Sequence, residues 1–148
     1  MENVLQEYKN AEIVLLSERD LQCHLFSESL KLMRAQNFPI PYKIYVERSI
    51  LSKHKKTDLV LGEDDVAVEM KFEPDYPSVN KPVAFREEVE KDIEILAEYI
   101  KKGMKYAHFV MIDEDGSHAR NPRIREKWKT IYSGNKKCYC LISSAKKE

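Results

Sequence analysis

Asp58, Glu69 and Lys71 are the residues of this chain whose types and spacing could do chemistry. They fall within residues 57–73, TDLVLGEDDVAVEMKFE, which read as two short strands joined by the acidic turn Gly62-Glu63-Asp64-Asp65. In the second strand Val68, Met70 and Phe72 alternate with Ala67, Glu69, Lys71 and Glu73. A carboxylate and an ammonium therefore leave the same side of one strand, with Asp58 on its neighbour. Adjacent carboxylates repel and are costly to hold together unless a cation sits between them. Oxygen-only ligation beside a lysine suits Mg²⁺ or Mn²⁺ better than zinc. Such an ion would polarise a phosphoryl oxygen and lower the pKa of a bound water. Lys71 would orient that water or neutralise charge on a pentavalent transition state. The plainer alternative is a surface Glu–Lys pair on a solvated sheet face, worth little energetically.

Those strands need elements to position them. Ser17 reads as an N-cap with Asp20 three residues on, an imperfect capping box. Leu21, Leu25, Phe26, Leu30, Leu32 and Met33 then carry an apolar helical face to about Gln36. Glu18 lies in the first turn of that helix, spaced from Leu21 and Leu25 so as to point toward the core side. A dipole-stabilised first-turn acid is the bland reading of the same residue. Ahead of it, Val4, Tyr8, Ala11 and Leu15 predict a short amphipathic helix over residues 3–15. Asn37-Phe38-Pro39-Ile40-Pro41 stops the second helix, and residues 42–51, YKIYVERSIL, read as a strand. With 58–61 and 66–72 this makes an antiparallel meander.

A loop at 74–78 and Pro82 separate the meander from the longest helical pattern, Phe85, Val89, Ile93, Leu96 and Ile100, ended by Gly103. Residues 106–113, YAHFVMID, are apolar on nearly both faces, as in a central strand covered by helices and reached by a parallel crossover. After Glu114-Asp115-Gly116 a short helix and a last strand at 138–143 are expected, with 145–148 as a frayed tail.

The 148 residues suit one domain with a real core, and 43% hydrophobic with 34% charged residues describe a heavily charged surface around it. Twenty-five basic and 25 acidic side chains cancel to a formal net charge of +0, which argues against whole-surface nucleic-acid binding and leaves local clusters. There are two. Lys53, His54, Lys55 and Lys56 form the turn before Asp58. Arg120, Arg123, Arg125, Lys127, Lys129, Lys136 and Lys137 surround Trp128 and Tyr132, with Glu126 as the single acid. Cations mixed with aromatics contact phosphate and stack bases; a solvated basic face with Trp128 anchored in the core is the alternative. Cys23, Cys138 and Cys140 lack the second pair a zinc set needs and read as buried free thiols of a reducing cytosol. No histidine spacing demands a role, and His108 is expected to be packed within its strand. The N-terminal segment has no signal-peptide run and nothing is long enough to span a bilayer, so a cytoplasmic protein with no membrane partner is expected.

An acid-x-Lys triplet alone says little: about three arise by chance at this composition, and Glu7-Tyr8-Lys9 is another. The fuller pattern is a helix acid in Ser17-Glu18-Arg19, then Asp58, then Glu69-Met70-Lys71, then a helix and a buried strand. This resembles the PD-(D/E)XK, or restriction-endonuclease-like, nuclease superfamily. Archaeal Holliday-junction resolvases are similar in the helix acid followed by Arg, and residues 69–74, 87–100 and 110–116 resemble prokaryotic members of the superfamily. Thr57 stands where the motif has proline, a departure that removes no ligand.

The resemblance implies an α/β (α+β) mixed sheet with an αβββαβ core over about 17–113. An extra N-terminal helix at 3–15 and a basic extension at 120–148 ending in a strand would complete the single domain. It implies a Mg²⁺- or Mn²⁺-dependent endonuclease hydrolysing phosphodiester bonds, with DNA ahead of RNA as partner. Asp58, Glu69 and the Met70 carbonyl would bind metal, Glu18 would be an outer or second-metal ligand, and Lys71 the catalytic lysine. The two basic clusters would supply the nucleic-acid surface, and a homodimer is expected by analogy with small enzymes that cut two strands. Two other classes stay open. One is a non-catalytic module binding nucleic acid or protein on the same fold; the other is a toxin or defence component acting on a protein.

Overall fold

The structure, a computed structural model, describes residues 2–75, 86–124 and 127–148. Phe85, Pro82, Arg125, Glu126 and the loop positions 76–78 named above lie outside the described residues.

Helix α1 spans Glu2–Lys9 and is shorter than its apolar spacing predicts. Ala11 takes a left-handed φ of 56°, the Glu12 N–H reaches back to the Glu7 carbonyl and the Ala11 N–H to the Tyr8 carbonyl. That Schellman motif ends the helix, so Leu15 enters the core from an irregular segment. Helix α2, Glu18–Ala35, starts where expected: the Ser17 hydroxyl accepts the Asp20 N–H at 3.3 Å. The Asp20 carboxylate answers on the Leu16 N–H at 2.9 Å, one residue earlier than a true capping box. Asn37, φ 55°, closes α2 with the same reach-back bonds.

Strands β1 (Ile44–Ser49), β2 (Lys56–Leu61) and β3 (Val66–Glu73) form the antiparallel meander. The long helical pattern runs as α3 (Arg86–Glu94) and α4 (Leu96–Lys101), with Ile95 between them in right-handed helical geometry and Gly103 (φ 108°) ending it. The crossover then enters β4, Tyr106–Asp113, parallel to β3 from Val66↔Tyr106 to Glu73↔Asp113.

The C-terminal part departs from expectation. Trp128–Ser133 is a strand, β5, not a helix, hairpinned through Gly134-Asn135 (Gly134 φ 57°) onto β6, Lys136–Lys146. Its Thr130-Ile131 pair favours extended backbone and Ile131 reaches the core by two-residue alternation. β6 is also longer than predicted: Ala145 and Lys146 pair with Ala107 and Tyr106 instead of fraying.

The six strands make one mixed sheet in the order β1-β2-β3-β4-β6-β5. Leu21 and Leu25 of α2, with Val4 and Tyr8 of α1, pack on the face carrying Val68, Met70, Phe72, Cys138 and Cys140. Val89, Leu96 and Tyr99 of α3 and α4 pack on the face carrying Val60, Ala67, Phe109, Met111 and Leu141. Burial on both faces removes the solvated-face reading of Glu69, which is only 3% exposed; Glu73 is 2% exposed. Helix α1 is tied to the C-terminal hairpin. The Tyr8 hydroxyl donates to Glu114 at 2.6 Å and lies 3.3 Å from Cys138 Sγ, while the Tyr8 carbonyl accepts the Ser133 hydroxyl at 2.8 Å. All three cysteines are free thiols; Cys138 and Cys140 are buried as expected, whereas Cys23 on α2 is exposed. Among the described residues no helix is long and apolar enough to cross a membrane.

Candidate active site

The β2–β3 ladder pairs Leu59, Val60 and Leu61 with Val68, Ala67 and Val66, and its register continues to Asp58 opposite Glu69. There the main chains part. Asp58 Oδ2 accepts the Met70 N–H at 2.7 Å, so a carboxylate takes the place of a strand partner. The N–H and C=O of one strand residue leave the same edge, which turns the Met70 carbonyl toward this fork as well. The Asp58 and Glu69 carboxyls lie close enough for each to act on the other's ionisation.

Glu69 Oε1 accepts the Tyr99 O–H, and Tyr99 in turn accepts the Thr57 hydroxyl at 2.8 Å. The position where the motif has proline thus supplies a donor that fixes Tyr99. Burial pushes the Glu69 carboxyl up to about 8, against the Tyr99 hydrogen bond and with the Asp58 charge adding to the rise. Asp58 is raised too, first by burial, with the Met70 N–H and Lys71 pulling the other way.

Lys71 Nζ sits 3.5 Å from Glu18 Oε2 and 3.6 Å from Asp92 Oδ2, joining a helix on one face of the sheet to a helix on the other. Burial works against its charge, but Glu18, Asp92 and Asp58 together hold the ammonium above its ordinary pKa. Glu18 is raised by burial, with Asp58 and Asp92 adding and Lys71 opposing. Its side chain is 40% exposed, which puts it on the rim of the cleft instead of in the core. One helical turn further in, Gln22 does face the sheet: its Nε2 donates to the Asp58 carbonyl at 2.7 Å and to Glu47 at 3.3 Å, while Arg19 donates to its Oε1 at 2.7 Å. A cleft of about 510 Å³ opens here, lined by Glu18, Arg19, Gln22, Glu47, Asp58 and Lys71 among others.

Four residues singled out from the sequence therefore converge: Glu18, Asp58, Glu69 and Lys71. Lys53 and His54 are exposed in the turn leading into β2 and Lys56 is exposed as its first residue, whereas Lys55 folds inward to Asp92. The second basic cluster is elsewhere. Lys129 is on β5, three strand spacings from β3, or about 14 Å. Arg120 and Lys127 are exposed, and Arg123 pairs with Glu90 of α3 at 2.8 Å. Trp128 packs partly against the core and Tyr132 is exposed. His108 is half-buried against Ser144 Oγ, 2.7 Å from its Nδ1.

Asp92, Tyr99, Gln22 and Glu47 were not singled out by sequence reasoning. Gln22 was detectable as the i+4 neighbour of Glu18. Asp92 and Tyr99 occupy the face 89-92-96-99, whose buried members are Val89, Asp92, Leu96 and Tyr99. Two polar residues on an inward face was the available signal. Glu47 sits opposite Asp58 with a left-handed φ of 55°, which nothing in its neighbours announces.

Among the described residues no group of three or more His, Cys, Asp or Glu side chains is arranged to hold a metal ion. The donors at the fork are two carboxylates and a strand carbonyl. Mg²⁺ commonly takes one or two carboxylates and keeps several waters, so this all-oxygen set fits it, and Mn²⁺ likewise. A cation between Asp58 and Glu69 would neutralise two carboxyls that burial already raises. Glu18 is engaged by Lys71. Comparison with family models, with curated proteins and with solved structures finds no match.

Proposed function

We propose that this chain is a metal-dependent endonuclease that hydrolyses phosphodiester bonds of DNA, with RNA as the second candidate substrate. The observation that carries the reading is the convergence of Asp58, Glu69 and Lys71 at a strand fork where Glu69 is almost fully buried. An isolated surface pair would not hold a carboxylate at about 8. The order α2-β1-β2-β3-α3/α4-β4, with a meander followed by a parallel crossover, supports a restriction-endonuclease-like core.

Asp58, Glu69 and the Met70 carbonyl would hold Mg²⁺ or Mn²⁺, which when bound supplies a Lewis acid toward a phosphoryl oxygen and lowers the pKa of bound water. The chain's own residues do the rest. Tyr99 and Thr57 hold the Glu69 carboxylate in one orientation, and the Met70 N–H does the same for Asp58. Lys71, kept charged by Glu18 and Asp92, presents a positive charge where a phosphoryl group gathers negative charge. The exposed Lys53, His54 and Lys56 give the backbone of a nucleic acid a place to lie beside the cleft. A homodimer in the cytoplasm would provide two such sites for two strands.

The test is cleavage of labelled duplex, single-stranded, flap and four-way substrates with Mg²⁺ or Mn²⁺. Cleavage should be lost in Asp58→Ala and Lys71→Ala proteins that remain folded at the assay temperature. Wild-type protein that cuts none of them would sink the reading. One observation favours a second reading, a non-catalytic binding module on the same fold: Lys55 and Lys71 already neutralise the buried acids. Calorimetry showing no Mn²⁺ binding at millimolar concentration would decide for it.

A further inference from the structure

We propose that Lys55 is a second active-site cation, held beside Glu69 by Asp92, and that it contacts the substrate phosphate. This rests on the nuclease reading and deepens it. Of the four consecutive basic residues before Asp58, three are exposed and one is not. Lys55 Nζ donates to Asp92 Oδ1 at 2.8 Å and stands 3.7 Å from Glu69 Oε1.

Asp92 explains why it is there. It is 7% exposed on a helix face otherwise made of Val89, Leu96 and Tyr99, and a buried carboxylate needs paired cations to offset its lost hydration. It finds two, Lys55 and Lys71, which it holds on one carboxylate beside Glu69. A second cleft of about 300 Å³ opens between Lys55, Lys71, Lys91, Glu88 and Asp92, and shares Lys71 and Glu88 with the larger one. A phosphate oxygen entering it meets two ammonium groups that share Asp92, with Glu69 and Glu18 as their other partners, and can exchange with Asp92 between them. The same placement sets Lys55 against any divalent ion on Glu69, because like charges a few ångströms apart in a buried site repel.

The experiment compares Lys55→Gln, Lys56→Gln and Lys43→Gln, the last an exposed control at Glu63. Mn²⁺ affinity is measured by calorimetry without nucleic acid, and single-turnover cleavage is measured beside it. Lys55→Gln should bind Mn²⁺ roughly tenfold more tightly while its maximal cleavage rate falls roughly tenfold with little change in KM. Lys56→Gln should weaken nucleic-acid binding in a salt-dependent way at unchanged Mn²⁺ affinity. Lys43→Gln should match wild type throughout. Asp92→Ala should lower the maximal rate as Lys55→Gln does, with Asp92→Glu restoring part of it; if Asp92→Ala does not fold, Lys55→Gln decides alone. A Lys55→Gln protein with wild-type Mn²⁺ affinity and wild-type rate overturns the inference and leaves the nuclease reading standing. Wild-type protein that neither binds Mn²⁺ nor cleaves overturns both.

Discussion

Asp113 and Glu69 are both buried acids on parallel neighbouring strands, yet they are held in opposite ways. Asp113 is 0% exposed and accepts three backbone N–H groups, from Gly116, His118 and Ala119, at 2.9, 3.0 and 2.9 Å. Those donors belong to one loop, so the carboxylate is the peg around which the chain turns after β4. Among the described residues Glu69 is held by side chains, the Tyr99 hydroxyl and the Lys55 ammonium, and it faces another carboxyl. Burial raises both, Asp113 to about 7 with Asp115 adding and the N–H groups opposing, Glu69 to about 8. A raised pKa therefore does not tell the two apart. The donors do: main-chain groups cannot leave, whereas a lysine and a hydroxyl can be exchanged for a ligand.

That contrast can be broken in four places. The largest effect is expected at Lys71→Ala, which should lower cleavage on the order of 10³-fold when assayed below the variant's own melting temperature, since Asp92 then keeps only Lys55 of its two cations; a rate within a few-fold of wild type would remove the fork from the chemistry. Next, Asp113→Ala should destabilise by about 3 kcal/mol in urea titrations, since three buried N–H groups lose their acceptor. Its Mn²⁺ affinity should be unchanged, and Glu69→Gln should show the reverse pattern.

The third is a pH dependence. Folded Glu69 keeps its proton to about 8 against an ordinary value of 4.5, so the folded state binds the extra proton between those values and stability falls as pH rises through them. Asp113 contributes in the same sense between 3.8 and about 7. Melting curves of Glu69→Gln should therefore keep the lower part of the decline and flatten above about pH 7. A decline identical to wild type across pH 7 to 8 would mean Glu69 ionises normally. The smallest effect is Tyr99→Phe, which keeps the ring in the core and removes one hydroxyl from Glu69 and Thr57, for about 1 kcal/mol. Mn²⁺ affinity unaltered in that variant would show that Asp58 and the strand alone orient Glu69.

The parts of the fold that were legible are those whose pattern is local. Residues 66–73 alternate at period two and 106–113 are apolar on both faces, so β3 and β4 and the crossover between them follow. Ser17 and Gly103 end helices by chemistry that a few residues carry. Asp58, Glu69 and Lys71 were found because two of them share a strand face. Asp92 was hidden because its helix was read on the face 85-89-93-96-100, which contains only apolar residues, and the face that meets the sheet is turned by one position. Which face packs is a tertiary choice. β5 was hidden because the cations of residues 120–137 break up its apolar alternation, although Thr130, Ile131 and Tyr132 favour extended backbone. Helix α1 was overextended because Ala11 fits the apolar spacing yet adopts the left-handed conformation usually taken by glycine or asparagine.

The contacts of Tyr8 set an order in time. Its partners Glu114, Ser133 and Cys138 lie 106, 125 and 130 residues further along the chain. At ribosomal speed helix α1 waits roughly ten seconds for them. During that interval Val4 and Tyr8 have α2 and then β3 to rest on, and the Asn3 side chain donates to Glu28 at 3.0 Å. The full set of Tyr8 contacts therefore forms only in a chain whose β5–β6 hairpin is in place.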